Sequence, residues 1–63
     1  MAIHLKAARV NANLTQEEVA KAIKKSKNTI GNYEAYTSKP DIETAKALAK
    51  LYRMSVDDII WSV

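Results

Sequence analysis

Residues 14–34 read LTQEEVAKAIKKSKNTIGNYE, and this stretch decides the fold. It holds two short runs in which apolar residues recur at helical spacing, separated by a basic and polar break. Val19 and Ile23 mark the inward side of the first run, and Ile30 and Tyr33 mark that of the second. The pattern predicts two short amphipathic helices joined by a tight turn.

Capping signals indicate where these two helices begin. Thr15 followed three residues later by Glu18 is a capping box, in which the hydroxyl and the carboxylate each satisfy a free backbone N–H group of the first turn. Ser26 can cap the second helix. We therefore expect the first helix to end near residues 24–25 and the second to cover about residues 27–34.

The sequence before this pair predicts one further helix, from Ile3 to about Val10, with Leu5 and Ala8 facing inward. Asn11 and Asn13 favour turns and end that helix. The first half of the chain is thus expected to hold three short helices.

The sequence after residue 34 predicts a loop over residues 35–40 and then two more helices. Asp41 caps the fourth helix, and Ser55 with Asp58 forms a second capping box that opens a short fifth helix. The predicted fold class is all-α: a compact bundle of five short helices that forms a single domain over residues 1–63. The inward-facing positions of the last two helices are Ala45, Leu48, Ala49, Tyr52, Val56, Ile59 and Ile60.

The composition excludes several structural classes. An apolar fraction of 48% argues against disorder, and one Gly and one Pro are too few for a fold with many β-turns. The chain has no Cys, which excludes disulfides and zinc-binding thiolates and fits a reducing compartment, so we expect a cytoplasmic protein. No apolar run approaches the roughly 18 residues of a membrane span, and the N-terminus lacks a signal-peptide pattern.

The residue patterns that carry most enzyme chemistry are also missing. There is no Gly-rich phosphate loop, and a single His cannot build a metal site. No nucleophile–base pair and no pair of carboxylates is evident. We therefore expect no enzymatic activity, no metal, no cofactor and no small-molecule ligand.

Positive charge is concentrated in the half of the chain that holds the helix pair. The net charge is +3, but residues 1–40 carry seven Lys and Arg against three acidic residues, whereas residues 41–63 carry three against four. A basic half of this kind favours a polyanionic partner.

The outward side of the second helix of the pair carries hydrogen-bonding side chains, namely Lys27, Asn28, Thr29 and Asn32. The major groove of B-DNA admits an α-helix, and there Lys can donate to guanine and Asn can pair bidentately with adenine. Double-stranded DNA is therefore the expected partner.

Residue type, order and spacing agree with one family pattern across five segments of the chain, from about Leu5 to Ile60. The matching residues are Arg9, Leu14-Thr15-Gln16-Glu17-Glu18-Val19-Ala20, Ser26 with Thr29-Ile30 and Tyr33-Glu34, Pro40, and Leu48-Ala49 with Ser55-Val56-Asp57-Asp58-Ile59. With these residues the chain resembles the phage repressor and Cro family of helix-turn-helix proteins, of the xenobiotic-response-element type. The resemblance implies a lambda-repressor-like fold.

The resemblance also implies roles for individual residues. Arg9 and Glu34 are expected to form a partly buried ion pair that ties the first helix to the end of the third. For two of the residues implied to contact bases an alternative stays open: Thr29 can serve the helix start, and Asn32 can be a solvated surface amide. The implied base contacts are Lys27, Asn28, Thr29 and Asn32, and the implied phosphate contacts are Gln16 at a helix N-terminus, Lys25, and Tyr36, Thr37, Ser38 and Lys39 in the following loop.

Three features depart from the family pattern. The turn between the second and third helices usually has a Gly, where φ can be positive, and here Lys24 or Lys25 occupies it. The Glu that ends the third helix is often followed by a Gly, and here Ala35 and Tyr36 follow. Gly31 lies inside the third helix at a cost of about 1 kcal/mol relative to Ala, which reflects either poor helix design or a close approach of the backbone to DNA.

Two functions remain open on the sequence. The first is a sequence-specific DNA-binding transcriptional regulator of phage, prophage or bacterial origin, with the helix at about 27–34 in the major groove. The alternative is a protein-interaction module, such as an antitoxin or anti-repressor, that uses the same fold to grip another protein. The polar outward side of the third helix and the basic first half favour DNA.

The end of the chain, IIWSV over residues 59–63, bears on assembly. Ile59 is expected to face the core, but Ile60 and Trp61 cannot both do so at helical spacing. Either Trp61 folds over the core as a lid, or Ile60 and Trp61 form a two-fold dimer interface, because apolar patches near a surface mark contacts. We predict a homodimer with Trp61 near its axis.

Overall fold

The fold consists of four α-helices, one 3-10 turn and two short strands, and the structure, a computed structural model, describes all residues from 1 to 63. The helices are α1 (Leu5–Asn11), α2 (Gln16–Ile23), α3 (Lys27–Glu34) and α4 (Ile42–Leu51). The 3-10 turn covers Val56–Asp58, and the strands are β1 (Ile3–His4) and β2 (Ile59–Ile60).

Side-chain caps begin three of the helices, as predicted. At the start of α2 the Thr15 hydroxyl accepts a hydrogen bond from the Glu18 amide at 3.1 Å, while the Glu18 carboxylate accepts one from the Thr15 amide at 2.9 Å. Ser26 and Asp41 cap α3 and α4 in the same manner, each accepting from the amide three residues later. These local signals fix the helix starts because each cap satisfies an N–H group that lacks a partner within the helix.

The turns on either side of α3 are made without glycine. Lys24, after α2, has φ 59° and ψ 44°, so Lys24 and not Lys25 takes the left-handed position of the turn. Tyr36, two residues after α3, has φ 62°. A side chain in this region is strained by about 1–2 kcal/mol, so the surrounding structure must hold both residues in place.

The prediction for the first helix is wrong at its start. Ile3 and His4 form β1, and the helix runs from Leu5 to Asn11. His4 has φ −64° and ψ 150°, an extended conformation that cannot continue a helix towards the N-terminus.

The predicted fifth helix is also wrong, so the fold is mostly helical with a strand pair and is not a five-helix bundle. The Ser55 hydroxyl accepts from the Asp57 amide at 3.3 Å, in place of the predicted capping box, and only one 3-10 turn follows. The chain then becomes extended and β2 pairs in parallel with β1, with Ile59 opposite Ile3. Three of the five residues from Val56 to Ile60 are β-branched, which favours extended backbone.

One hydrophobic core lies between the helices and under the strand pair. The inward-facing residues predicted for the four helices are buried except for Ile23, which is half-buried, and Ile59 of β2 is buried too. None of the helices has the length and apolar character required to cross a membrane. The core residues are Leu5, Ala8, Val19, Ala20, Ile30, Tyr33, Leu48, Ala49, Tyr52 and Ile59.

Candidate nucleic-acid interface

Helix α3 presents one buried and one exposed side. Ile30 and Tyr33 are buried in the core, whereas Lys27, Asn28 and Asn32 are exposed. The helix is therefore anchored by its apolar side and offers three of the four predicted base-contacting side chains to solvent.

Asn28 has the freest polar side chain on this exposed side. Its carboxamide makes no hydrogen bond within the protein, so its donors and its acceptor can all pair with a ligand. The Asn32 Oδ1 atom accepts a hydrogen bond from the Thr37 hydroxyl at 3.3 Å, which leaves the NH₂ group of Asn32 free. Both amides can therefore donate towards a ligand, and Asn28 can also accept without breaking a bond.

Lys27 is paired only weakly. Its Nζ atom lies 3.7 Å from a carboxylate oxygen of Glu17, and the two side chains are 60% and 77% exposed. A pair this exposed contributes only ~0–1 kcal/mol, so Lys27 can exchange Glu17 for another acceptor at little cost.

Thr29 serves the start of α3. Its hydroxyl lies 2.8 Å from the hydroxyl of Ser26, and its amide donates to the same Ser26 oxygen at 3.1 Å. Thr29 is also only half-exposed. Thr29 is thus the least accessible of the four residues that were predicted to contact bases.

The ion pair implied by the family resemblance is present between α1 and α3. Arg9 Nε donates to Glu34 Oε2 at 2.6 Å and Arg9 Nη2 donates to Glu34 Oε1 at 3.2 Å, while Arg9 Nη1 donates to the Leu14 carbonyl. The side chains of Arg9 and Glu34 are only 11% and 5% exposed. Hydrogen bonding to Glu34 raises the pKa of Arg9 against the opposing effect of burial.

Gln16 extends this network to the start of α2. Its Nε2 atom donates to Glu34 Oε1 at 3.0 Å, so the carboxamide is fixed beside α3, next to Gly31. Its second N–H and its Oε1 atom make no other hydrogen bond within the protein, and Gln16 is the first residue of α2. We call the surface formed by Gln16, Lys27, Asn28, Gly31 and Asn32 the reading surface.

Four of the five remaining residues that were predicted to contact phosphate are exposed and lie in the segments directly before and after α3. Lys25 lies in the turn before α3, and Thr37, Ser38 and Lys39 lie in the loop after it, all exposed. The Thr37 hydroxyl donates to the backbone carbonyl of Asn32 at 3.2 Å, which fixes the loop against the end of α3. The two lysines supply the charge of this set.

Tyr36 is turned inward, which sequence reasoning did not foresee. Its hydroxyl donates to the Ile60 carbonyl at 3.2 Å, accepts from the Leu5 amide at 3.4 Å and lies 2.8 Å from His4 Nδ1. The hydroxyl is thus committed to holding the end of α3 against the strand pair, and the structure does not offer it to phosphate. The positive φ of Tyr36 aims the side chain in this direction, and no local sequence signal marks it.

The apolar end of the chain lies against the core and along a shallow groove. Trp61 is half-buried and packs against the core, and its indole N–H donates to the Val56 carbonyl at 2.9 Å. Ile60 is half-buried within β2. Ile42, which sequence reasoning missed, lines the same groove as Trp61 and is 70% exposed.

Helices α2 and α3 are joined by a tight turn in which Lys24 has left-handed backbone angles. The second of these helices is anchored in the core and exposes a polar side, and this arrangement defines a helix-turn-helix protein. The family model described as helix-turn-helix matches residues 5–59, and the chain belongs to that family.

Curated relatives carry the same domain within longer chains. The chain is 42% identical over 52 residues to the cryptic phage CTXphi transcriptional repressor RstR of Vibrio cholerae, covering 82% of this chain and 47% of the relative. It is 43% identical over 47 residues to the uncharacterized HTH-type transcriptional regulator YobD of Bacillus subtilis (strain 168), covering 75% of this chain and 42% of the relative. The chain thus spans less than half the length of the curated relatives it matches.

A third relative, the HTH-type transcriptional activator BcrR of Enterococcus faecalis, is 29% identical over 56 residues, covering 89% of this chain and 28% of the relative. No solved structure matches the chain significantly. The family match and the repressor and regulator names of the relatives confirm the predicted resemblance, and the domain is of the DNA-binding kind found in transcription regulators.

Proposed function

We propose that this chain is the sequence-specific DNA-binding domain of a transcriptional regulator of the repressor type, with a lambda-repressor-like arrangement that places α3 in the major groove. The observation that carries the proposal is the free carboxamide of Asn28 on the exposed side of a helix anchored in the core. A fixed helix that presents unpaired donors and acceptors meets the geometric requirement for reading base edges.

Three side chains read bases in this proposal. Asn28 pairs bidentately with adenine, Lys27 leaves Glu17 to donate to guanine, and Asn32 donates from its free NH₂ group. Thr29 contributes less to base contact, because its hydroxyl is already hydrogen-bonded to that of Ser26.

Phosphate contacts position the domain on the duplex. Gln16 offers its free N–H, and as the first residue of α2 it lies at a helix N-terminus, a favourable place for an anion. Of the two acidic side chains of that turn, Glu18 is already engaged, because its carboxylate accepts a hydrogen bond from the Thr15 amide. Lys25 and Lys39 supply positive charge and Ser38 supplies a hydroxyl, while the Thr37 hydroxyl holds the loop against α3.

The functional assembly in this proposal is a homodimer with Ile60 and Trp61 at the interface. Exposed Ile42 beside Trp61 supports this choice by extending the apolar surface of the groove. A two-fold dimer presents two copies of α3 to half-sites ~34 Å apart, which converts two weak contacts into one useful affinity.

A binding titration with duplex DNA at two salt concentrations tests the proposal. We expect the parent protein to bind duplex, with an affinity that falls steeply as salt rises. Lys39→Ala should weaken all sequences about equally and lower the log–log salt slope by roughly 0.9, because one phosphate contact is lost. Lys46→Ala, at an exposed position of α4, is the matched control and should leave the slope unchanged. Absence of duplex binding at low salt would contradict the proposal and favour the protein-interaction module.

A further inference from the structure

The only glycine of the chain sits where the backbone does not need one. Four other residues adopt positive φ, namely Asn13, Lys24, Tyr36 and Arg53, and each carries a side chain. Gly31 has no positive φ and lies in the middle of α3. Its conformational freedom is therefore unused by the fold.

The fold also has room for a side chain at this position. A Cβ atom built on Gly31 meets only the carboxamide of Gln16, with both Nε2 and Oε1 at 3.9 Å, which is ordinary van der Waals contact. Within a helix, glycine is less stable than alanine. Neither backbone conformation nor packing inside the protein accounts for the missing side chain.

The missing side chain does leave an opening on the reading surface. Gly31 lines a shallow depression together with Lys6, Gln16, Glu34 and Ala35, beside the free N–H of the Gln16 carboxamide. Lys6 brings a positive charge to its edge. The depression is lined both by Gln16, which is assigned to phosphate, and by Gly31 of α3, the helix assigned to bases.

We infer that Gly31 is a specificity-determining residue, at which the DNA duplex comes into contact with the backbone of α3. This inference rests on the proposed function. A methyl group at residue 31 holds the base edges away from Asn28. Hydrogen bonds are lost once donor and acceptor are more than about 3.5 Å apart, so such a displacement breaks them. The attraction between the lysines and the phosphates extends over ~10 Å, so the same displacement hardly changes it.

The test is Gly31→Ala, measured for stability and for binding to a site selected with the parent protein and to an unrelated duplex. We expect the melting temperature to rise by about 4–8 °C, because alanine favours the helix. We expect affinity for the selected site to fall by about tenfold, the value of one good base contact, and affinity for the unrelated duplex to change by less than about twofold.

Ala47→Gly is the matched control, since Ala47 lies on the exposed side of α4. It should lower the melting temperature and leave both affinities unchanged at a temperature where the protein is folded. If the parent binds its selected site and Gly31→Ala binds it equally well, the inference is overturned while the proposed function stands. A lower melting temperature for Gly31→Ala would overturn the premise that the fold tolerates a side chain there. If the parent binds no duplex, the proposed function itself fails.

Discussion

Arg9 and Glu34 meet at 2.6 Å between α1 and the last residue of α3, and almost no solvent reaches either side chain. Gln16 also donates to this carboxylate, so Glu34 connects α3 to both α1 and α2. The orientation of the exposed side of α3 therefore depends on a charge pair that is itself outside the proposed reading surface.

Glu34→Gln should destabilise the protein by ~3–5 kcal/mol, because it leaves the buried Arg9 charge without an opposite charge beside it. That amount rivals the whole stability expected of a domain this small, about 3–9 kcal/mol. Denaturant unfolding measures the change. Glu43→Gln, an exposed carboxylate of α4, is the control and should change stability little. A loss for Glu34→Gln no larger than for Glu43→Gln would show that the pair is not structural.

Tyr36→Phe should destabilise the protein by about 1–2 kcal/mol, since it removes the hydroxyl that joins α3 to Leu5 and Ile60. Tyr52→Phe is a matched control: the Tyr52 hydroxyl is buried without a hydrogen-bond partner, and burial raises its pKa. Removing that hydroxyl should leave stability unchanged or increase it. Thermal unfolding compares the two variants, and a smaller loss for Tyr36→Phe than for Tyr52→Phe would contradict this account of the hydroxyls.

Acid should weaken the start of α4 through Asp41. Hydrogen bonds from Thr44, through its side chain and its backbone N–H, lower the pKa of Asp41 from its ordinary value of 3.8. A lowered pKa means that the ionised form stabilises the fold. That contribution is complete above about pH 4 and is lost as the pH falls through the lowered value.

The variant that isolates this effect is Asp41→Asn, which keeps a capping side chain but cannot ionise. The difference in melting temperature between parent and variant should be constant from pH 7 to about pH 5 and shrink below about pH 4. Asp57→Asn, exposed and outside the α-helix caps, is the control. A difference that grows on acidification would give the opposite sign and contradict the assignment.

Dimerisation should depend on the apolar groove beside Trp61. We expect the parent to sediment as a dimer, at least on DNA, and Trp61→Ala to be monomeric. Because Trp61 also packs on the core, Ile42→Ser gives a cleaner test: it is 70% exposed, so its loss should affect assembly more than folding. Val10→Ser, an exposed apolar residue outside the groove, should leave the dimer intact. A parent that is monomeric at high concentration and binds single half-sites would contradict the dimer.

Helices α2, α3 and α4 could be predicted because their signals are local. Each begins at a capping residue that bonds to an amide three residues away, and each buries residues at helical spacing. The strand pair could not be predicted in this way. It joins Ile3 to Ile59 through strands of only two residues, so neither strand carries a periodic pattern, and its partner is far away in the sequence.

The candidate interface likewise has one part that local sequence patterns predicted and one part that depends on contacts between residues distant in the sequence. Lys27, Asn28 and Asn32 were placed on the exposed side of α3 by their spacing relative to buried Ile30 and Tyr33. The inward turn of the Tyr36 side chain depends on a positive φ and on contacts with Leu5 and Ile60, which are distant in sequence.

The central claim is that α3 reads base edges through Asn28, and selection from a pool of randomised duplexes tests it most directly. The parent should enrich a defined sequence, and Asn28→Ala should lose preference at one position and ~1–3 kcal/mol of affinity on the parent's best site. Asn11→Ala, an exposed amide at the end of α1, should enrich the parent's sequence. If Asn28→Ala also enriches that sequence with unchanged selectivity, Asn28 does not read DNA and the account is contradicted.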